Sequence, residues 1–175
     1  NNASVVSSDG NKTTVQMGSG YRGDLWLARS GKGKIVNVTP ADYRYFAIKV
    51  GFKSQLVPGK NKPNGCIKLE IFDDGIKKIG PEYFGTGGDA NNRYEILGAS
   101  EISTTEPNVL YYDLQSKYKT VTPTDWNQVF DLVQCKFVIA DFPETAQTYD
   151  LYWIRSFKSI EELQAFVDSE NNTNE

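Results

Sequence analysis

Trp26, Trp126 and Trp153 stand in a chain that also carries ten tyrosines and nine phenylalanines. Flat rings left on a surface can stack on the apolar C–H face of a sugar, while charged or amide groups beside them bond its hydroxyls. The rings suited to that chemistry are Trp26, Tyr43, Tyr45, Tyr83, Tyr111 and Trp126. Arg93, Asp113, Gln115 and Arg155 could supply the polar contacts. Each ring also has a plainer reading. Trp26, between Leu25 and Leu27, suits a core as well as a surface. Tyr43, Tyr45 and Tyr111 lie opposite apolar rows and could form a second apolar layer or simply face water. Tyr83, with Phe84, falls in a Gly-rich interval and could anchor that loop. Trp126 lies in a polar connection, which favours exposure, whereas Trp153 reads first as a core residue of the last strand.

Hydrolytic chemistry has less to work with. Histidine is absent, which removes the commonest general base and the commonest zinc ligand. Two carboxylates held ~5–5.5 Å or ~6.5–9.5 Å apart would suffice for glycoside cleavage. Asp73, Asp74, Glu82, Asp89, Glu101, Glu106, Asp113 and Asp141 form no distinctive pair, and Asp73-Asp74-Gly75 reads as a strand-ending turn. No catalytic residue is assigned and the chain is read as a non-enzyme. Asp24, Glu70, Asp141 and Asp150 could hold a structural calcium, although no calcium loop is spaced for it. No other cofactor is implied. Cys66 and Cys135 both fall in strand-like runs. They can pair only if their Cα atoms approach within ~7 Å, and otherwise act as buried thiols.

These side chains need a frame. At 175 residues, one domain over 1–168 with a polar tail or linker over 169–175 is the default. A net charge of -3 argues against a nucleic-acid surface. No apolar run approaches the ~18 residues that a membrane span requires, and the first residues lack a signal-peptide pattern. Short alternating runs separated by turns favour an all-β sandwich or barrel. Asp9-Gly10 marks a hairpin. Residues 24–28, 34–38, 44–52, 66–73, 93–99 and 109–115 read as strands. So do QCKFVIADF and TYDLYWIRSF, with Tyr149, Leu151, Trp153, Arg155 and Phe157 on one face of the latter. Roughly nine or ten strands suit a two-sheet sandwich. Ser159 followed by Glu162 is a capping box, and Ile160, Leu163, Phe166 and Val167 share a helical face suited to covering one end.

The order of ADYRYFAIKV, NVLYYDLQ, VFDLVQCKFVIADF and YDLYWIRSF, closed by SIEELQAFV, resembles jelly-roll carbohydrate-binding modules. More closely, it resembles a family of uncharacterised secreted domains from gut Bacteroides and Prevotella polysaccharide-utilisation systems. The resemblance runs from about Tyr43 onward and rests on strand pattern, so no ligand residue is carried over from it. It implies a two-sheet jelly-roll β-sandwich with a short C-terminal helix, acting outside the cell or at its surface. The expectation is a non-catalytic module that binds polysaccharide or oligosaccharide, touches neither nucleic acid nor membrane, and belongs to a larger chain. The alternative is a protein-interaction or spacer domain beside a catalytic one.

Overall fold

The computed structural model describes residues 3–18, 22–28, 36–38, 42–53, 66–73, 94–115, 130–140 and 148–172. These are mostly β, with a six-stranded antiparallel sheet and a C-terminal helix. The sheet begins with the expected hairpin, β1 (Ala3–Ser8) and β2 (Thr13–Met17). Asp9 turns the chain by accepting the backbone N–H groups of Asn11 (2.9 Å) and Lys12 (3.0 Å), and Gly10 takes the left-handed φ of 88°. Those two bonds also hold the Asp9 carboxyl below its ordinary range.

Next come β3 (Arg22–Ala28), β4 (Val36–Val38), β5 (Tyr45–Phe52), β6 (Cys66–Asp73), β7 (Glu95–Ile96), β8 (Asn108–Asp113), β9 (Phe130–Ala140) and β10 (Thr148–Phe157). The six-stranded sheet runs β1-β2-β10-β5-β8-β7. β9 does not pair with β10, although the two follow one another in sequence. It pairs antiparallel with β3, β4 and β6. That register separates the cysteines, since Cys66 lies opposite Ala140 and Cys135 opposite Ile71. Five strand positions amount to about 17 Å at ~3.4 Å per residue, well beyond disulfide reach.

One face of the six-stranded sheet carries the main core. Alternation sends Phe46, Ile48, Val50 and Phe52 of β5, with Leu110 and Tyr112 of β8, into it. Val15 and Tyr149 join them, and so do Ile67, Phe137 and Ile139 of β6 and β9. The Tyr149 ring meets those of Phe137 and Phe52, with centroids 5.8 and 6.2 Å apart.

Two expectations are corrected here. The five alternate residues of β10 do not share a face, because a bulge breaks the register between Leu151 and Trp153. The extra residue is Tyr152, so Tyr149, Leu151 and Ile154 join the core while Trp153 and Phe157 belong to the opposite face. The strand read over 93–99 shortens to β7. Gly98 adopts φ 72° and the Ala99 N–H returns to the Ile96 carbonyl, which turns the chain away.

The helix α1 (Ile160–Asn172) begins at the expected capping box. Ser159 Oγ accepts the Glu162 N–H at 3.1 Å, and the Glu162 carboxylate accepts the Lys158 N–H at 2.6 Å. It lies across the second face of the sheet, with Leu163 fully buried among Ala47, Val109 and Phe157. It also runs through 169–172, the first part of the stretch over 169–175 that reads from composition as a polar tail or linker.

Candidate functional site

That second, outer face is where most of the described candidate residues gather. On β5 it carries Tyr45, Ala47, Lys49 and Gly51, and on β8 Val109, Tyr111 and Asp113. On β10 it carries Asp150, Trp153, Arg155 and Phe157, each opposite an outer-face residue of a neighbouring strand. Helix α1 turns back over β10. Phe166 stacks edge-on against Trp153 at 5.3 Å and packs near Phe157 at 5.6 Å. One turn later Glu170 accepts the Trp153 indole N–H at 3.0 and 3.1 Å and pairs with Lys49 at 3.1 Å. Trp153 is therefore half-buried beneath the helix, an arrangement between the core and surface alternatives.

At the N-terminal end of α1 two tyrosines of this face pack against the cluster of Ala47, Val109, Phe157 and Leu163. Tyr45 and Tyr111 meet edge to face, with centroids 6.1 Å apart and both rings half-buried. Burial, with Glu95 and Tyr45 nearby, raises the Tyr111 hydroxyl above its ordinary range. Arg44 grips Asp113 through a two-pronged pair, Nε to Oδ1 at 2.7 Å and Nη2 to Oδ2 at 2.6 Å. The same guanidinium lies 5.4 Å from the Tyr45 centroid. Tyr43 is 41% exposed and has the Lys158 ammonium 5.4 Å from its ring centre. The exposed Arg155 guanidinium lies 4.3 Å from the Phe166 ring.

Four sequence candidates thus share one face, Tyr45, Tyr111, Asp113 and Arg155, while Tyr43 precedes β5 and is exposed. Asp113 is less available than its sequence position suggests, because Oδ1 also accepts the Gln115 N–H at 3.0 Å. Trp26 is elsewhere. It lies on β3 opposite Lys136 of β9, half-buried and next to a register shift. Tyr83, Arg93 and Trp126 lie outside the described residues, as does Asp141. Arg44 and Tyr152 were not singled out from sequence. The two-residue spacing of Tyr43 and Tyr45 brackets Arg44, which could have flagged it; nothing local signals the bulge that carries Tyr152.

Asp150, considered for calcium, is committed to protein groups, with Lys12 Nζ at 2.8 Å and Thr14 Oγ1 at 2.6 Å. Among the described residues no three acidic, Cys or His side chains gather as a metal cage. No described helix is long and apolar enough to cross a membrane.

A family model with the description Domain of unknown function (DUF4979) matches residues 1–163. The chain belongs to the DUF4979 family. No curated protein and no solved structure matches it. In this DUF4979 domain the arrangement offers stacking faces, a fixed guanidinium and tyrosine hydroxyls side by side. It suits holding a polar ligand that has flat apolar faces.

Proposed function

We propose that the DUF4979 domain is a non-catalytic carbohydrate-binding module that takes polysaccharide or oligosaccharide chains. The observation that carries this is the half-buried pair of Tyr45 and Tyr111 beside the Arg44–Asp113 pair, with the exposed Tyr43 two residues before Tyr45. The rings supply stacking surface, and the guanidinium keeps donors free for hydroxyls after its two bonds to Asp113. We read the two sets of strands as a jelly-roll sandwich, supported by the Tyr149–Phe137 contact between them. The resemblance to polysaccharide-utilisation domains of gut Bacteroides and Prevotella supports a secreted or surface-attached bacterial protein, with this domain one part of a larger chain. A second reading, a protein-interaction or spacer module, draws on β1, an edge strand whose Val5 and Val6 side chains are exposed.

Each ring–sugar stack contributes about 0.5–1.5 kcal/mol beyond area burial, so binding should be weak for a single copy and stronger when copies are tethered together. Affinity electrophoresis through plant, fungal and host polysaccharides is the direct test. Retardation by at least one polymer is expected, and the double variant Tyr45→Ala, Tyr111→Ala should lose tenfold or more of that affinity. If no polymer retards the wild-type domain, the glycan reading falls and the interaction reading takes its place.

A further inference from the structure

Beyond the tyrosine patch, the same outer face holds two cavities, of about 350 and 130 Å³, which share Glu106 and Pro107 in their walls. The larger opens between α1 and the 97–109 segment, with Leu97 and Val109 as apolar lining and Gln164 and Asn171 on the helix side. The smaller is lined by Tyr152, Gly51, Lys53 and Asp150. Lys49 Nζ, which lines the larger, lies 5.7 Å from the Tyr152 ring centre, so ammonium and ring bridge the two.

The walls are fixed before any ligand arrives. Asn108, 4% exposed, accepts the Ser103 N–H at 2.8 Å and donates to the carbonyls of Ser103 at 2.9 Å and Val50 at 3.4 Å. Ser103 Oγ in turn accepts the N–H groups of Thr105 and Glu106. On the other side, the β10 bulge delivers Tyr152 as an unpaired residue. Its ring lies over Gly51, where even a methyl group would sit 3.4 Å from Cε2. A bulge that re-aims one aromatic side chain into a cavity is a device found next to binding sites.

The lining also selects a ligand class. Lys49 is paired with Glu170 and Lys53 with Asp150, and Glu106 adds a further carboxylate, so no excess of positive charge among the lining residues favours a phosphate. Apolar and polar groups are interleaved, which suits neither a lipid chain nor a highly charged anion. Both hydrogen-bond donors and acceptors stand beside one ring face and an aliphatic floor. We propose that this groove is a binding subsite for a short neutral oligosaccharide, one sugar stacked on Tyr152 and its neighbours filling the cleft beside α1. The assignment rests on the glycan reading above but not on the Tyr45–Tyr111 patch.

The test is calorimetry and amide-shift mapping with neutral tetrasaccharides of glucose, mannose, galactose and xylose, alongside tetragalacturonate. At least one neutral probe is expected to bind, with shifts concentrated at 103–109 and 164–171. Tyr152→Ala removes the ring. Gln164→Trp fills the cleft from an exposed helix position and leaves the core untouched, which guards against misfolding of the first variant. Each should weaken binding at least tenfold. Unchanged affinity in Gln164→Trp, with shifts confined to the surroundings of Tyr45 and Tyr111, overturns the groove and leaves the glycan reading standing. Tenfold preference for tetragalacturonate overturns the neutral class. Silence from all five probes overturns the glycan reading itself and the groove with it.

Discussion

Asp150 has only 5% of its surface exposed, yet it carries a charge. Burial alone would push its carboxyl up. The bonds from Lys12 and Thr14, together with the ammonium of Lys53 at 3.8 Å, outweigh burial and hold it below its ordinary value of 3.8. A group depressed on folding contributes its full stability above the unfolded value, and that share disappears as pH falls through the folded one. Asp150→Asn should therefore cost about 1–3 kcal/mol at neutral pH, lowering the melting midpoint by roughly 2–10 °C. Melts of both proteins between pH 3 and 7 should converge toward the acid end; a constant gap would refute the linkage. Sequence exposed the acid but not its task, because its partners stand 138 and 136 residues away. Tyr45 and Tyr111 were legible as opposite an apolar row, since period-two alternation is local. That Arg44 would claim Asp113 depended on tertiary pairing across 69 positions.

Helix α1 has Glu161 and Glu162 in its first turn, where the positive end of the helix dipole favours them, and no basic residue in its last. Asp168 and Glu170 lie toward the negative end, so the final turn is weak in isolation. Its hold on the sheet runs through Phe166 and through Glu170 to Lys49 and Trp153. Glu170→Ala is expected to cost roughly 0.5–2 kcal/mol locally. Hydrogen exchange should quicken over 166–172 while 160–165 keep their protection; equal change along the whole helix would contradict this. Leu163→Ala, by contrast, opens a hole in a fully buried site and should cost about 2–5 kcal/mol, read from denaturant unfolding. The capping box and the apolar stripe made this helix readable. Its resting place did not follow, because an amphipathic stripe says that a helix packs and not which surface receives it.

At the scale of the chain, the strands could be read but not their partners. β9 and β10 are adjacent in sequence and both dense in β-branched and aromatic residues, yet they join different sets of strands. The register that follows keeps Cys66 and Cys135 apart. Two free thiols per chain are thus expected by titration after unfolding without reductant, and a melting midpoint indifferent to dithiothreitol. A single blocked pair would mean the β6–β9 ladder is misaligned. The helix lying back over β10 also has a consequence for any polymer that docks. A 13-residue helix is about 20 Å long. It runs back along β10 as a ridge, with Phe166 over Trp153 and Glu170 at Lys49, so a docked glycan is kept off β10 and has to lie in the cleft beside the helix. Broad, flat fibre surfaces cannot settle onto the sheet past such a ridge, and single accessible strands or chain ends become the natural targets.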